Sequence, residues 1–158
     1  MFSALFIAAV LVAQKPDPVF DYYRGVWHCD GMNYRHRTYS LTYRYTNDAD
    51  VSPVLRTQTV YFVGKRRGIL SGQIGRTRTG TYIQTGARSN DMWVSASAGW
   101  HGDTIIWTNV TLPRDSERDR LTVRRISENA FTQLDERLGP GGEPNRTNTT
   151  ATCRRKLR

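Results

Sequence analysis

The residues of this chain with chemistry beyond packing are three histidines, two cysteines and a scatter of carboxylates. His28 stands two positions before Asp30 and His101 two before Asp103, so two acid–base couples are present on paper. Hydrolysis needs more: a nucleophile held against its base, and a third group that orients the base. There is no G-x-S-x-G elbow and no carboxylate pair in a supporting context. His101 and Asp103 fall within Gly99-Trp100-His101-Gly102-Asp103, where a tight turn already calls for polar residues. His28, His36 and His101 show neither H-x-H nor H-E-x-x-H spacing, so no metal or haem is expected. These residues predict a non-enzymatic protein without a cofactor.

The cysteines depend on compartment. Ala4 to Ala13, A-L-F-I-A-A-V-L-V-A, is an unbroken apolar run about half the ~20 residues that cross a bilayer. It reads as an export signal, residues 1–13, cut after Ala13, although no basic residue precedes it. Lys15-Pro16-Asp17-Pro18 then gives a short linker, 14–19, and a single domain is expected over 20–158. Export puts Cys29 and Cys153 in an oxidising space, where an even count points to a disulfide rather than two separate thiols. A bridge closing so long a loop stabilises by about 5 kcal/mol in the chain-entropy picture.

Charge is the next signal. Lys and Arg number 23 against 14 Asp and Glu, a net +9, and almost all the cations are arginine. Lys65, Arg66, Arg67, Arg76 and Arg78 gather in two neighbouring turns, and Arg114, Arg118 and Arg120 in another. A barrel with such turns at one rim would attract phosphate or acidic sugars, whereas solvated turns that keep strands soluble would have the same composition. An exported protein meets acidic envelope polymers or lipid head groups rather than nucleic acid.

These groups must be positioned by strands. Tyr39, Leu41, Tyr43 and Tyr45 alternate with Ser40, Thr42, Arg44 and Thr46, a period of two. Further runs are expected over 55–63, 69–74, 79–85, 92–98, 104–111, 121–126, 130–138 and 149–157, joined by Gly-, Asn- and Asp-rich turns, with one short helical turn over 19–23. Short strands at this spacing predict an all-β, antiparallel, up-and-down barrel of about 8–10 strands. A bridge between Cys29 on the first strand and Cys153 on the last would make those strands neighbours and close the barrel. Alternation turns Tyr39, Leu41, Tyr43, Tyr45, Tyr61, Val63, Met92, Val94, Ile106 and Val123 inward; of these Tyr39, Tyr43, Tyr45, Tyr61, Met92 and Ile106 are the candidate ligand contacts.

Gly25-Val26-Trp27 resembles the G-x-W motif of the lipocalins and the wider calycin group. The longer pieces Phe20-Asp21-Tyr22-Tyr23-Arg24-Gly25-Val26-Trp27-His28-Cys29-Asp30-Gly31, Gly99-Trp100-His101-Gly102-Asp103 with Trp107, and Ala151-Thr152-Cys153-Arg154-Arg155-Lys156 resemble secreted bacterial proteins with a lipocalin-like barrel. The resemblance implies that Trp27 closes the barrel floor under an arginine of the last strand, for which Arg154 is taken ahead of its neighbour Arg155. Two functions then compete. One is a secreted or periplasmic protein binding a small apolar or amphipathic molecule inside the barrel. The other is an envelope protein with a filled barrel that meets acidic polymers or lipid head groups at a basic rim.

Overall fold

The computed structural model describes residues 16–47, 54–88, 91–110 and 118–157. The expected export signal, most of the turn after Asn47, and Arg114 lie outside the described residues. The described chain opens with a single helical turn, α1 (Pro18–Tyr23). Asp17 caps it, accepting from the amides of Val19 and Phe20, and Pro18 supplies a φ already suited to a first helical position. Gly25, at φ +117°, then turns the chain from helix into strand, a backbone geometry that side-chain-bearing residues resist.

Eleven strands follow: β1 (Gly25–Asn33), β2 (Thr38–Asn47), β3 (Val54–Val63), β4 (Arg66–Arg76), β5 (Tyr82–Arg88), β6 (Asp91–Ser97), β7 (Trp100–His101), β8 (Thr104–Asn109), β9 (Arg118–Ser127), β10 (Ala130–Leu138) and β11 (Pro144–Arg155). Each pairs antiparallel with its neighbours, and β1 lies between β2 and β11. At the other seam β6 pairs directly with β8 through Ser95↔Asn109 and Ala96↔Thr108, while the two-residue β7 folds back along β8. The result is a closed antiparallel barrel of 10 strands, as the strand spacing predicts. Cys29 and Cys153 face each other across the β1–β11 ladder and are joined by a disulfide with S–S 2.01 Å.

Strands β4 and β9 begin earlier than expected, at Arg66 and Arg118, and the short β7 lies in an expected turn. Two further differences have a local cause. The stretch after Gly139 is a shorter loop than its Gly/Pro content implies, because Pro144 to Asn148 already belong to β11 and pair with the bulged end of β10. Both sides of that segment are wet, so its polar residues hide the strand. Strand β5 starts at Tyr82, because Thr77 takes the turn: its amide donates to the Thr81 carbonyl at 2.8 Å and its hydroxyl accepts from the Thr81 amide at 3.1 Å.

The densest packing lies at the end covered by α1. Val19, Phe20, Tyr22 and Tyr23 are buried there against Trp27, Leu55, Ile74, Ile105 and Phe131. The Trp27 and Phe131 rings lie 4.8 Å apart, and Tyr22 meets Trp100 edge-on at 5.1 Å. The Tyr22 hydroxyl donates to the carbonyls of Ser127 and Ala130, tying the helix to the β9–β10 turn. This end of the barrel is plugged.

Candidate functional site

Register decides which side chains face the interior. Trp27 and Cys29 are fully buried, so the residues opposite them on β2, Tyr43 and Leu41, point inward too, with Tyr39 and Tyr45 in the same file. Tyr61 on β3 stands opposite Leu41 and shares that face. All four tyrosines expected inside are therefore inside, and depth separates them. Tyr45 packs on Tyr23 at the plugged end, with ring centroids 5.3 Å apart, and Tyr43 sits one step above it at 5.8 Å. Tyr39 and Tyr61 stand near the opposite end, the mouth.

Met92 and Ile106 point out of the barrel, at 71% and 46% exposure, and Val94 shares the outward file of Met92. The inward residues are instead Trp93 on β6 and Ile105 and Trp107 on β8. Trp93 stands opposite Gly86, where a Cβ would come within 1.9 Å of the indole. Glycine there makes room for the ring, and the Gly86–Trp93 pair is the cue that fixes this strand's face. The unbroken run Ile105-Ile106-Trp107 carries no alternation, so its parity has to come from the ladder.

The floor also departs from expectation by one residue. Arg154 is exposed on the outer face; Arg155 covers Trp27, its guanidinium 4.4 Å from the ring. Arg155 also donates to the carbonyls of Tyr22, Arg24 and Glu128, which closes the end of α1 onto β11. One position along the strand reverses the face, and Cys153 is inward, so the inward arginine is the one two residues on. A second cation, Arg125, lies over both Tyr22 and Trp100, 4.3 Å from each ring.

Above Tyr43 the interior changes character. The inward file of β10 runs Phe131, Gln133, Asp135, Arg137 from plug to mouth, a gradient from aromatic to charged. The Tyr43 hydroxyl donates to Gln133 Oε1 at 3.3 Å, and burial raises its pKa. Asp135 is pushed up to about 6, first by burial and then by the neighbouring carboxylate of Asp119; Asn148 and Arg137 act in the opposite direction. Leu41, Tyr43, Tyr61, Trp93, Leu121 and Asp135 all face inward, yet all are only half-buried. Side chains turned away from bulk solvent by register keep exposed surface only where open space runs past them. That space is the lumen; α1 closes its lower end, and among the described residues no helix or strand crosses the mouth.

The remaining sequence candidates do not converge on it. Lys65, Arg66 and Arg67 lie at the mouth, in and after the β3–β4 turn, but Arg76 and Arg78 lie at the plugged end. The eleven residues of β4, about 3.3 Å each, separate them by the barrel's length. Arg76 is engaged there, 3.4 Å from the Asp17 carboxylate and over the Tyr82 ring. The five residues do not form one rim. His28 is on the outer wall, 3.4 Å from Asp30, and His101 is exposed in the β7–β8 turn. Asp103 accepts from the Thr104 hydroxyl and from Arg124 Nε, and these bonds lower its pKa. Among the described residues no three His, Cys, Asp or Glu side chains gather as a metal site.

No protein-family model and no curated protein matches the chain. Solved structures do. Rv2717c from M. tuberculosis superposes with a TM-score of 0.66 at 14% identity, over 90% of this chain and 100% of that one. A protein of unknown function from the DUF3598 family of Nostoc punctiforme gives a TM-score of 0.56 at 13% identity, over 86% of this chain and 48% of that one. At such identities the likeness is one of fold. Both are structural neighbours of the barrel described above.

Proposed function

We propose that this chain is an exported, lipocalin-like binding protein that takes a small amphipathic molecule into the mouth half of its barrel and performs no chemistry on it. The observation that carries the reading is the contrast along the interior: sealed aromatics at the helix end, half-buried Leu41, Tyr61, Trp93 and Leu121 towards the mouth. A ligand's apolar part would lie against those four, and its polar part would meet Asp135 and the Tyr43–Gln133 pair, the mixture of apolar wall and few polar groups that ligand sites share. The disulfide fits an oxidising compartment, and among the described residues no helix is long and apolar enough to cross a membrane.

The test is titration of the full chain with 1-anilinonaphthalene-8-sulfonate, read by its fluorescence and by quenching of tryptophan. Saturable binding that Leu121→Trp and Tyr61→Trp each weaken at least tenfold, with Met92→Ser on the outer wall leaving it unchanged, is the expected result. Equal affinity in the lumen-filled variants, with native circular dichroism, would remove the lumen as the site.

A further inference from the structure

We infer that the barrel docks mouth-first on an anionic lipid bilayer through the arc of its rim that runs from β11 across β1 to β4. The inference goes beyond the lumen reading and does not depend on it, since a filled barrel with this rim would dock in the same way.

Two sets of side chains coincide on that arc. The first is apolar and exposed: Met32 at 44%, Tyr34 at 46%, Phe62 at 42% and Ile69 at 49%. Register turns Met32, Phe62 and Ile69 outward, and all four belong to the mouth half of β1, β3 and β4 or to the β1–β2 turn. Large apolar side chains gathered on the wet face of a small barrel mark a surface meant for contact. The second set is cationic: Arg35, Arg37, Lys65, Arg66, Arg67 and Arg146, all exposed. Among the described residues none of these six is paired with a carboxylate. Elsewhere some cations are matched, Arg24 with Asp21 at 3.3 Å and Arg76 with Asp17 at 3.4 Å at the helix end and Arg120 with Glu136 at 2.8 Å on the far wall. Arg44, Arg78 and Arg154, without carboxylate partners among the described residues, lie singly rather than clustered with exposed apolar side chains. Arg35 and Arg146 instead lie over the Tyr34 ring, 5.2 and 4.7 Å from its centroid.

Like charges so gathered repel one another, and an anionic surface is what offsets that repulsion. A nucleic acid or an acidic polysaccharide would satisfy the arginines alone. The interleaved tyrosine, phenylalanine, isoleucine and methionine favour a surface with an apolar layer beneath its charges, which is a bilayer interface: aromatic rings settle at head-group depth and arginines reach lipid phosphates. On the other side of the mouth Asp119 and Glu136 are paired with Arg137 and Arg120, so the unmatched positive charge lies on the one arc and docking tilts the barrel onto it. The lumen then opens beside the membrane rather than into bulk water.

Cosedimentation of the full chain with phosphatidylcholine vesicles, with and without phosphatidylglycerol, tests this. Partitioning onto the anionic vesicles only, weakening as salt is added, is expected. Arg35→Gln, Arg66→Gln and Arg67→Gln together should lower it on the order of a hundredfold, at about fivefold per cation removed. Tyr34→Ser with Phe62→Ser should lower it about tenfold at unchanged charge. Arg78→Gln at the plugged end should leave it as it was. No partitioning at all, an equal loss in the Arg78 variant, or indifference to the Tyr34 and Phe62 changes would each overturn the proposal. The last would mean attraction to charge alone, which an acidic polymer meets as well. Anilinonaphthalene binding in free solution should survive all these rim changes, which separates failure here from failure of the lumen site.

Discussion

At the helix end of the barrel Trp27, Ile105 and Phe131 expose no more than 1% of their surface, and a five-ring cluster of Tyr22, Tyr23, Trp27, Trp100 and Phe131 fills the cross-section. At the mouth the inward positions carry Tyr39, Tyr61, Trp93, Leu121 and Asp135, and of these only Tyr39 is buried. The same ladder runs through both regions, so the backbone does not make the difference. Composition does. Where α1 brings four apolar side chains back under the barrel, the interior becomes a core; at the mouth, where among the described residues no helix or strand returns, most inward side chains stay only half-buried. Stability is concentrated at one end, which leaves the other free to carry groups that contribute nothing to folding or oppose it.

That division can be broken most severely at the plug. Trp27→Ala removes the largest sealed side chain together with the surface under Arg155, and a cost of about 3–5 kcal/mol is expected. Urea unfolding followed by circular dichroism measures it. The half-buried Trp93→Ala in the lumen should cost well under half as much, because its ring already borders open space. Equal losses for the two tryptophans would mean the mouth half is as much a core as the floor.

A finer cut separates adjacent arginines. Arg155→Gln gives up the stack on Trp27 and the bonds to the Tyr22 and Glu128 carbonyls, with an expected loss of about 1.5–3 kcal/mol. Arg154→Gln, one residue away on the outer wall, should stay within about 0.5 kcal/mol of the parent. The same urea curves decide, and similar midpoints for the two variants would remove Arg155 from its place in the floor.

How far these assignments were legible in the sequence depends on whether alternation was present to be read. The Tyr39–Thr46 stretch alternates cleanly, and its inward tyrosines are where that pattern puts them. Pairing the two cysteines placed the first strand beside the last, and with the turn spacing that determined the closed barrel. The pattern failed where it was silent or ambiguous. Ile105-Ile106-Trp107 is apolar throughout, and Met92 is no less apolar than the Trp93 beside it. Asn145 to Asn148 looked like loop because a strand wet on both faces shows no hydrophobic period. The basic cluster failed for another reason: nearness in sequence across the long strand β4 is distance in space. Gln133 and Asp135, the polar groups of the lumen, carry no signal of their own, since polar residues in a strand ordinarily face water. Their inward parity from Phe131 was the available signal.

The smallest expected effect is also the one with an unusual sign. Asp135 titrates at about 6 rather than the ordinary 3.8, because burial and Asp119 disfavour its charged form. Between those two values the folded protein holds a proton that the unfolded chain has released. Stability therefore falls as pH rises through that window and stays lowered above it. Asp135→Asn removes the titration while keeping size and a hydrogen-bonding head, so it should stabilise the protein at neutral pH by on the order of 1–2 kcal/mol, flatten the decline, and leave acid stability unchanged. Thermal melts across pH measure all three. A destabilised variant would mean that Asp135 belongs to a supporting network with Arg137 and Asn148, as the arginines of the plug do. A stabilised one would mark a carboxyl kept against the interest of folding. On the binding reading proposed above, contact with a ligand's polar head would be the physical reason to keep a second carboxyl beside Asp119.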